Sequence, residues 1–79
     1  MQIFLKSGGN LRAMLKPDVD YYTRKVEFDG QQTIGEILKA ISVDVRYVAF
    51  IYVDGKVKDF SYVPSDGQTI TLQPPVSGG

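Results

Sequence analysis

The sequence predicts a small α+β domain, a mixed sheet of four to five strands with one main helix packed on one face. Three observations predict it. Residues 1–6 and 69–73 alternate apolar and polar side chains with the period of two that a half-buried strand requires. Residues 33–41 instead carry apolar side chains at helical spacing behind a helix-start signal. Residues 47–53, Tyr-Val-Ala-Phe-Ile-Tyr-Val, form a continuous apolar run rich in β-branched and aromatic residues, the composition of a central strand.

In the first strand Met1, Ile3 and Leu5 share one face, Gln2 and Lys6 the other, and Phe4 places an aromatic on the polar side. Ser7-Gly8-Gly9-Asn10 is a turn cluster, because Gly and Asn tolerate positive φ. Residues 11–15 read as an extension of this strand or the start of a second. Lys16-Pro17-Asp18 stops them, since proline donates no ladder hydrogen bond. Residues 24–29 alternate again, with Val26 and Phe28 opposed to Lys25, Glu27 and Asp29, and Asp29-Gly30 closes them. The two strands make an antiparallel hairpin whose connection spans residues 11–23 at its widest.

Thr33-Ile34-Gly35-Glu36 carries the signature of a capping box: the Thr33 hydroxyl accepts from the Glu36 amide while the Glu36 carboxylate reaches back. With the stripe Ile34, Ile37, Leu38 and Ile41 behind it, a short helix is expected over residues 34–42. Gly35 weakens that helix by up to about 1 kcal/mol relative to alanine. After the central strand, Asp54-Gly55 turns the chain into Lys56-Val57-Lys58 as a hairpin. Residues 63–67 are a loop, and residues 69–73 are the last strand with Ile70 and Leu72 inward. The order is β, β, α, β, short β, β. With the first and last strands parallel at the centre and the helix over one face, this is the β-grasp arrangement, the fold of ubiquitin. A ferredoxin-like or plain α+β arrangement shares the element order.

Composition narrows the function. At 79 residues one domain buries only about 60–65% of the surface its open chain exposes, so the core is thin and an enclosed catalytic pocket has little room. Chemistry at an edge or a terminus is the better expectation. Nine basic and nine acidic residues give zero formal net charge with no basic patch, which argues against nucleic-acid binding. There is no cysteine and no histidine, hence no thiol nucleophile, no disulfide, and neither the commonest general base nor the commonest transition-metal ligand. Asp54, Asp59 and Asp66 are scattered, so no metal site is expected. Met1 leads straight into a strand, with no signal peptide and no apolar stretch near the roughly 18 residues of a membrane span. A soluble cytoplasmic protein, not bound to a membrane, is the expectation.

Residues 1–73 are expected to form the domain and residues 74–79, Pro-Pro-Val-Ser-Gly-Gly, a flexible tail. The segment from Ser65 to Gly79, an Asp66-Gly67 loop, the last strand and the Gly-Gly tail, closely resembles the end of the MoaD/ThiS family of ubiquitin-like sulfur carriers. Pro74-Pro75 is similar to the molybdopterin branch, the small subunits of molybdopterin synthase, more than to the thiamine branch. Elsewhere the resemblance extends to the order of elements and the pattern of residues 33–41. Departures are Asp54, where the family often has Asn, the short helix, and residues 16–24, which match no family pattern.

The resemblance implies a cycle. An E1-like adenylating enzyme activates the Gly79 carboxylate with ATP, and a persulfide donor supplies sulfur. The resulting C-terminal thiocarboxylate passes its sulfur to a substrate in a large synthase subunit or a thiazole-forming enzyme. The carrier binds no cofactor and has no catalytic residues of its own, and Gly79 is the attachment point. The residue types suit that task. Gly78 and Gly79 lack Cβ and fit a narrow channel. Pro74 and Pro75 stop the strand and favour an extended course through Val76 and Ser77. Six residues reach at most about 20 Å. Phe4, Phe50, Tyr52 and Phe60 are candidates for a partner-binding patch on the sheet; the opposing reading has Phe60 or residues 16–23 packing on that face from within. Tyr21 and Tyr22 stay ambiguous, and Glu36 is a helix cap and not an acid catalyst. Besides molybdopterin synthesis, the sequence leaves open thiamine-type carriage, a protein modifier forming isopeptide bonds through Gly79, and a plain interaction domain.

Overall fold

A computed structural model describes residues 1–75. Five strands, β1 (Gln2–Lys6), β2 (Thr23–Glu27), β3 (Phe50–Val53), β4 (Lys56–Lys58) and β5 (Thr69–Gln73), form one mixed sheet in the order β2-β1-β5-β3-β4. Two helices, α1 (Gly9–Leu15) and α2 (Ile34–Ala40), and a 3-10 turn at Val45–Tyr47 complete the described residues. β1 and β5 run parallel at the centre, with Leu5 opposite Ile70, while β2 and β3 pair antiparallel outside them. This is the expected β-grasp arrangement.

The strand alternation builds the core. Ile3 and Leu5 of β1, Ile51 and Val53 of β3, and Ile70 and Leu72 of β5 are buried on one face, where they meet Leu11 and Leu15 of α1 and Ile34, Ile37 and Leu38 of α2. The parallel pairing is fixed where β5 begins. Asp66 Oδ1 accepts from Gln2 N at 2.8 Å, Gly67 N donates to Gln2 O at 2.7 Å, and Phe4 N donates to Gln68 O at 2.9 Å.

The structure corrects the expectation for residues 11–15, which are helical and not a strand. Leu-Arg-Ala-Met-Leu satisfies both periods, since Leu11 and Leu15 share a face in either conformation and five residues are too few to separate them. The sheet excludes pairing beside β1, because both of its flanks are already taken by β2 and β5. The helix ends at Lys16, which adopts φ 57°, and Pro17 follows. β3, the strand expected over residues 47–53, is also shorter than expected. It starts at Phe50, because Asp44 Oδ1 accepts from Arg46 N at 2.9 Å and winds Val45–Tyr47 into a 3-10 turn. Small shifts remain at β2, which spans Thr23–Glu27, and at α2, which ends at Ala40.

The capping box forms as expected: Glu36 N donates to Thr33 Oγ1 at 3.1 Å and Thr33 N donates to Glu36 Oε1 at 3.0 Å. Two further amides of the first turn, Ile34 N and Gly35 N, donate to Tyr62 O and Phe60 O, which satisfies donors a helix start leaves free. Gly35 is the residue that permits this approach, since a Cβ there would sit 3.4 Å from both Phe60 Cβ and Phe60 O. Thr33→Ala is expected to lower stability by about 1 kcal/mol, read as a shifted urea midpoint at constant slope. The Thr33 amide, then its hydroxyl, hold the Glu36 carboxyl below its ordinary value. Because the folded value is the lower one, this contribution is full above the ordinary carboxylate range and is lost as pH falls through the depressed value. Urea midpoints are therefore expected to be level near neutrality and to fall in acid, with a smaller fall in Thr33→Ala.

Candidate functional site

The site of interest is where β5 leaves the sheet. Gln73 is its last ladder residue, opposite Phe50, and Gln73 O also accepts from Ala49 N at 2.8 Å. Pro74 and Pro75 have no N–H to donate, so the ladder stops there for a covalent reason. The Pro74 ring rests over the start of α1: its Cγ lies 3.8 Å from where a Cβ on Gly9 would stand, and Gly9 adopts φ 60°. A side chain at Gly9 would be strained by that φ, while its Cβ would stand in ordinary van der Waals contact with Pro74.

Three shallow grooves meet at Pro74. One is lined by Lys6, Gly8 and Tyr22, a second by Asn10, Arg46 and Tyr47, and the third by Ala49, Phe50 and Tyr52. The rim is aromatic and open, with Tyr22 50%, Tyr47 50% and Phe50 52% exposed. Phe50 and Tyr52 lie on the sheet face away from the helices, their ring centroids 6.3 Å apart. Arg46 forks onto Asp44, with Nη2 2.8 Å from Oδ2, and this donation is the main cause that holds the Asp44 carboxyl below its usual range. Asp20 is likewise lowered, chiefly by the Tyr22 amide that it accepts at 2.9 Å. Both carboxylates are thus committed to local structure.

The structure divides the four proposed docking residues. Phe50 and Tyr52 flank the exit. Phe4 shares their sheet face but sits on β1, with Thr69 and Thr71 of β5 between. Phe60 does not belong with them: it packs beside Gly35 of α2, on the helix side, near Val43 and Val45. The reason is the backbone bond from Gly35 N to Phe60 O, which ties residue 60 to the helix start. Sequence reasoning missed Tyr47, Arg46 and Gly9 and left Tyr22 undecided. The Gly8-Gly9 pair was the one visible signal, and it bears on Gly9 alone, whose φ of 60° favours a residue without Cβ. Val76, Ser77, Gly78 and Gly79 lie outside the described residues.

Among the described residues no group of three or more His, Cys, Asp or Glu is placed to hold a metal ion. The exit presents open contact surface lined by Tyr22, Arg46, Tyr47, Phe50 and Tyr52. No helix among the described residues is long and apolar enough to cross a membrane.

A family model described as Mut7-C ubiquitin matches residues 1–77. The chain belongs to the Mut7-C ubiquitin family. Its fold is also that of solved ubiquitin-like proteins. SAMP1 from Haloferax volcanii matches with a TM-score of 0.74 and 22% identity, covering 100% of both chains. The putative molybdopterin converting factor subunit 1 from Pyrococcus furiosus matches with a TM-score of 0.69 and 16% identity over 95% of this chain and 98% of that one. No curated protein matches the chain. At these identities the neighbours share the fold of this Mut7-C ubiquitin chain. That is the ubiquitin-like fold expected from the order of elements in the sequence.

Proposed function

We propose that this chain carries sulfur as a thiocarboxylate on Gly79, serving as the small, non-catalytic subunit of a molybdopterin-type synthase. The observation that carries the reading is the course of β5. The central strand of the sheet, held on both sides, delivers the chain to Pro74-Pro75 at a rim of exposed aromatics, and Gly78-Gly79 follows. A rigid strand ahead of a proline-stiffened segment reduces the freedom lost when that segment enters a partner's channel. The domain, residues 1–73, is the handle in this reading and residues 74–79 are the part inserted.

The chemistry balances through partners. A carboxylate oxygen of Gly79 attacks the α-phosphorus of ATP on an E1-like enzyme, and pyrophosphate leaves. The terminal sulfur of a donor persulfide attacks the acyl carbon, and AMP leaves. A second thiol then cleaves the S–S bond and frees the thiocarboxylate. Phe50 and Tyr52, with Tyr22 and Tyr47 at the rim, supply the docking surface. A second reading, Gly79 joined to lysines as a protein modifier, draws on the haloarchaeal neighbours, one of which is described as a small archaeal modifier protein.

The deciding experiment is intact mass after incubation with ATP, an adenylating enzyme from the same organism and a persulfide donor. Exchange of one oxygen for sulfur is expected. Lysine conjugates without that exchange would favour the modifier, and an unchanged mass would remove both readings.

A further inference from the structure

Among the described residues, one edge of the sheet is closed by the chain itself and the other is open. Along β2, Thr23 O accepts from Asp18 N and Val19 N, and Lys25 N donates to Asp18 Oδ1 at 2.9 Å, so the segment before β2 straps its outer edge. Along β4, no backbone bond outside the β3–β4 ladder reaches Lys56, Val57 or Lys58 among the described residues. The two-residue turn, with Asp54 at φ 53° and Gly55 at φ 78°, fixes which groups are free. Its closing pair, Val53–Lys56, exchanges both ladder bonds, so the next pair, Tyr52–Val57, exchanges none. The N–H and C=O of Val57 therefore point away from β3, outward.

The side chains at that edge select by charge. Val57 stands beside Tyr52 on the face away from the helices and is 60% exposed. Lys56 and Lys58 take the other face, and Lys58 Nζ lies 5.1 Å from the Tyr62 ring centroid. A short edge with lysines discourages pairing between copies. A second copy added antiparallel about Val57 would set Lys56 of each chain opposite Lys58 of the other, like charges at about 5 Å between Cβ atoms. An added strand with carboxylates at those two places meets a lysine at each, and its middle residue lies beside Val57.

We propose that β4 is a strand-addition site for an extended segment of a partner protein with the alternation acidic–apolar–acidic. It is independent of the reading of Gly79, because β5 lies two strands in from this edge.

The test titrates the isotope-labelled protein with a capped peptide of core Glu-Val-Glu and with its Lys-Val-Lys counterpart. The acidic peptide is expected to bind at least about tenfold more tightly, to slow exchange of the Val57 amide, and to weaken with salt. Val57→Pro removes the outward N–H, which no ladder bond uses, so the sheet is expected to persist while binding falls at least about tenfold. Lys56→Glu with Lys58→Glu is expected to reverse the peptide preference, and this pair decides the matter should the proline variant fail to fold. Equal binding of both peptides, shifts confined to residues away from β3 and β4, undiminished binding by folded Val57→Pro, or a dimer paired through β4 would each overturn the proposal.

Discussion

Removal of Gly79 is expected to cut sulfur loading at least about 100-fold while leaving the melting temperature unshifted. Without Gly79 the reacting carboxyl is displaced by one residue, about 3.5 Å along an extended chain, and displacements of even 1 Å cost about 100-fold at a reacting centre. The melting temperature is expected to hold because, among the described residues, the ladder ends at Gln73 and the last buried apolar side chain is Leu72. One residue appended after Gly79 is expected to act the same way, since it converts the carboxylate into an amide. A melting curve and a single-turnover loading assay on the same samples separate the two effects. Loading at the full rate by the shortened chain would show that the reaction happens elsewhere.

Ile37→Asp is the second large effect, and it acts on the handle. Ile37 is 1% exposed in the middle of α2, within the same core as Leu5, Ile51 and Ile70. A carboxylate there has no cation or donor to meet and costs several kcal/mol. A domain of this size holds about 4–12 kcal/mol in total. Most molecules are therefore expected to be unfolded at 25 °C, with collapsed amide dispersion and lost cooperativity in urea. Ile37→Val, which keeps the site apolar, is expected to cost only about 0.5–1.5 kcal/mol and to remain folded. Similar losses from both variants would mean that helix propensity, not burial, governs the position.

These contrasts show what the sequence made legible. β1 and β5 were readable because each has one buried face, so alternation names both the strand and its inward residues. α2 was readable because Thr33 and Glu36 identify each other at fixed spacing. The Asp54-Gly55 turn was readable because both positions need positive φ. Residues 11–15 were not, since Leu-Arg-Ala-Met-Leu fits either period and the occupied flanks of β1, which bar it from pairing there, are not written in it. Phe60 was misplaced for a similar reason: an aromatic in a loop carries no periodicity, and a backbone bond to Gly35 set its side of the sheet. The rim at Tyr47 and Arg46 depends on their meeting Pro74 from a segment far away in the chain, which local pattern does not encode.

Fragment-ion localisation of the sulfur on the loaded protein tests the central claim most directly. After reaction with ATP, the adenylating enzyme and a persulfide donor, the account predicts one sulfur for one oxygen, with the whole mass change confined to fragments containing Gly79. Sulfur on any fragment that ends before Gly79, or loading that survives loss of that residue, would contradict it.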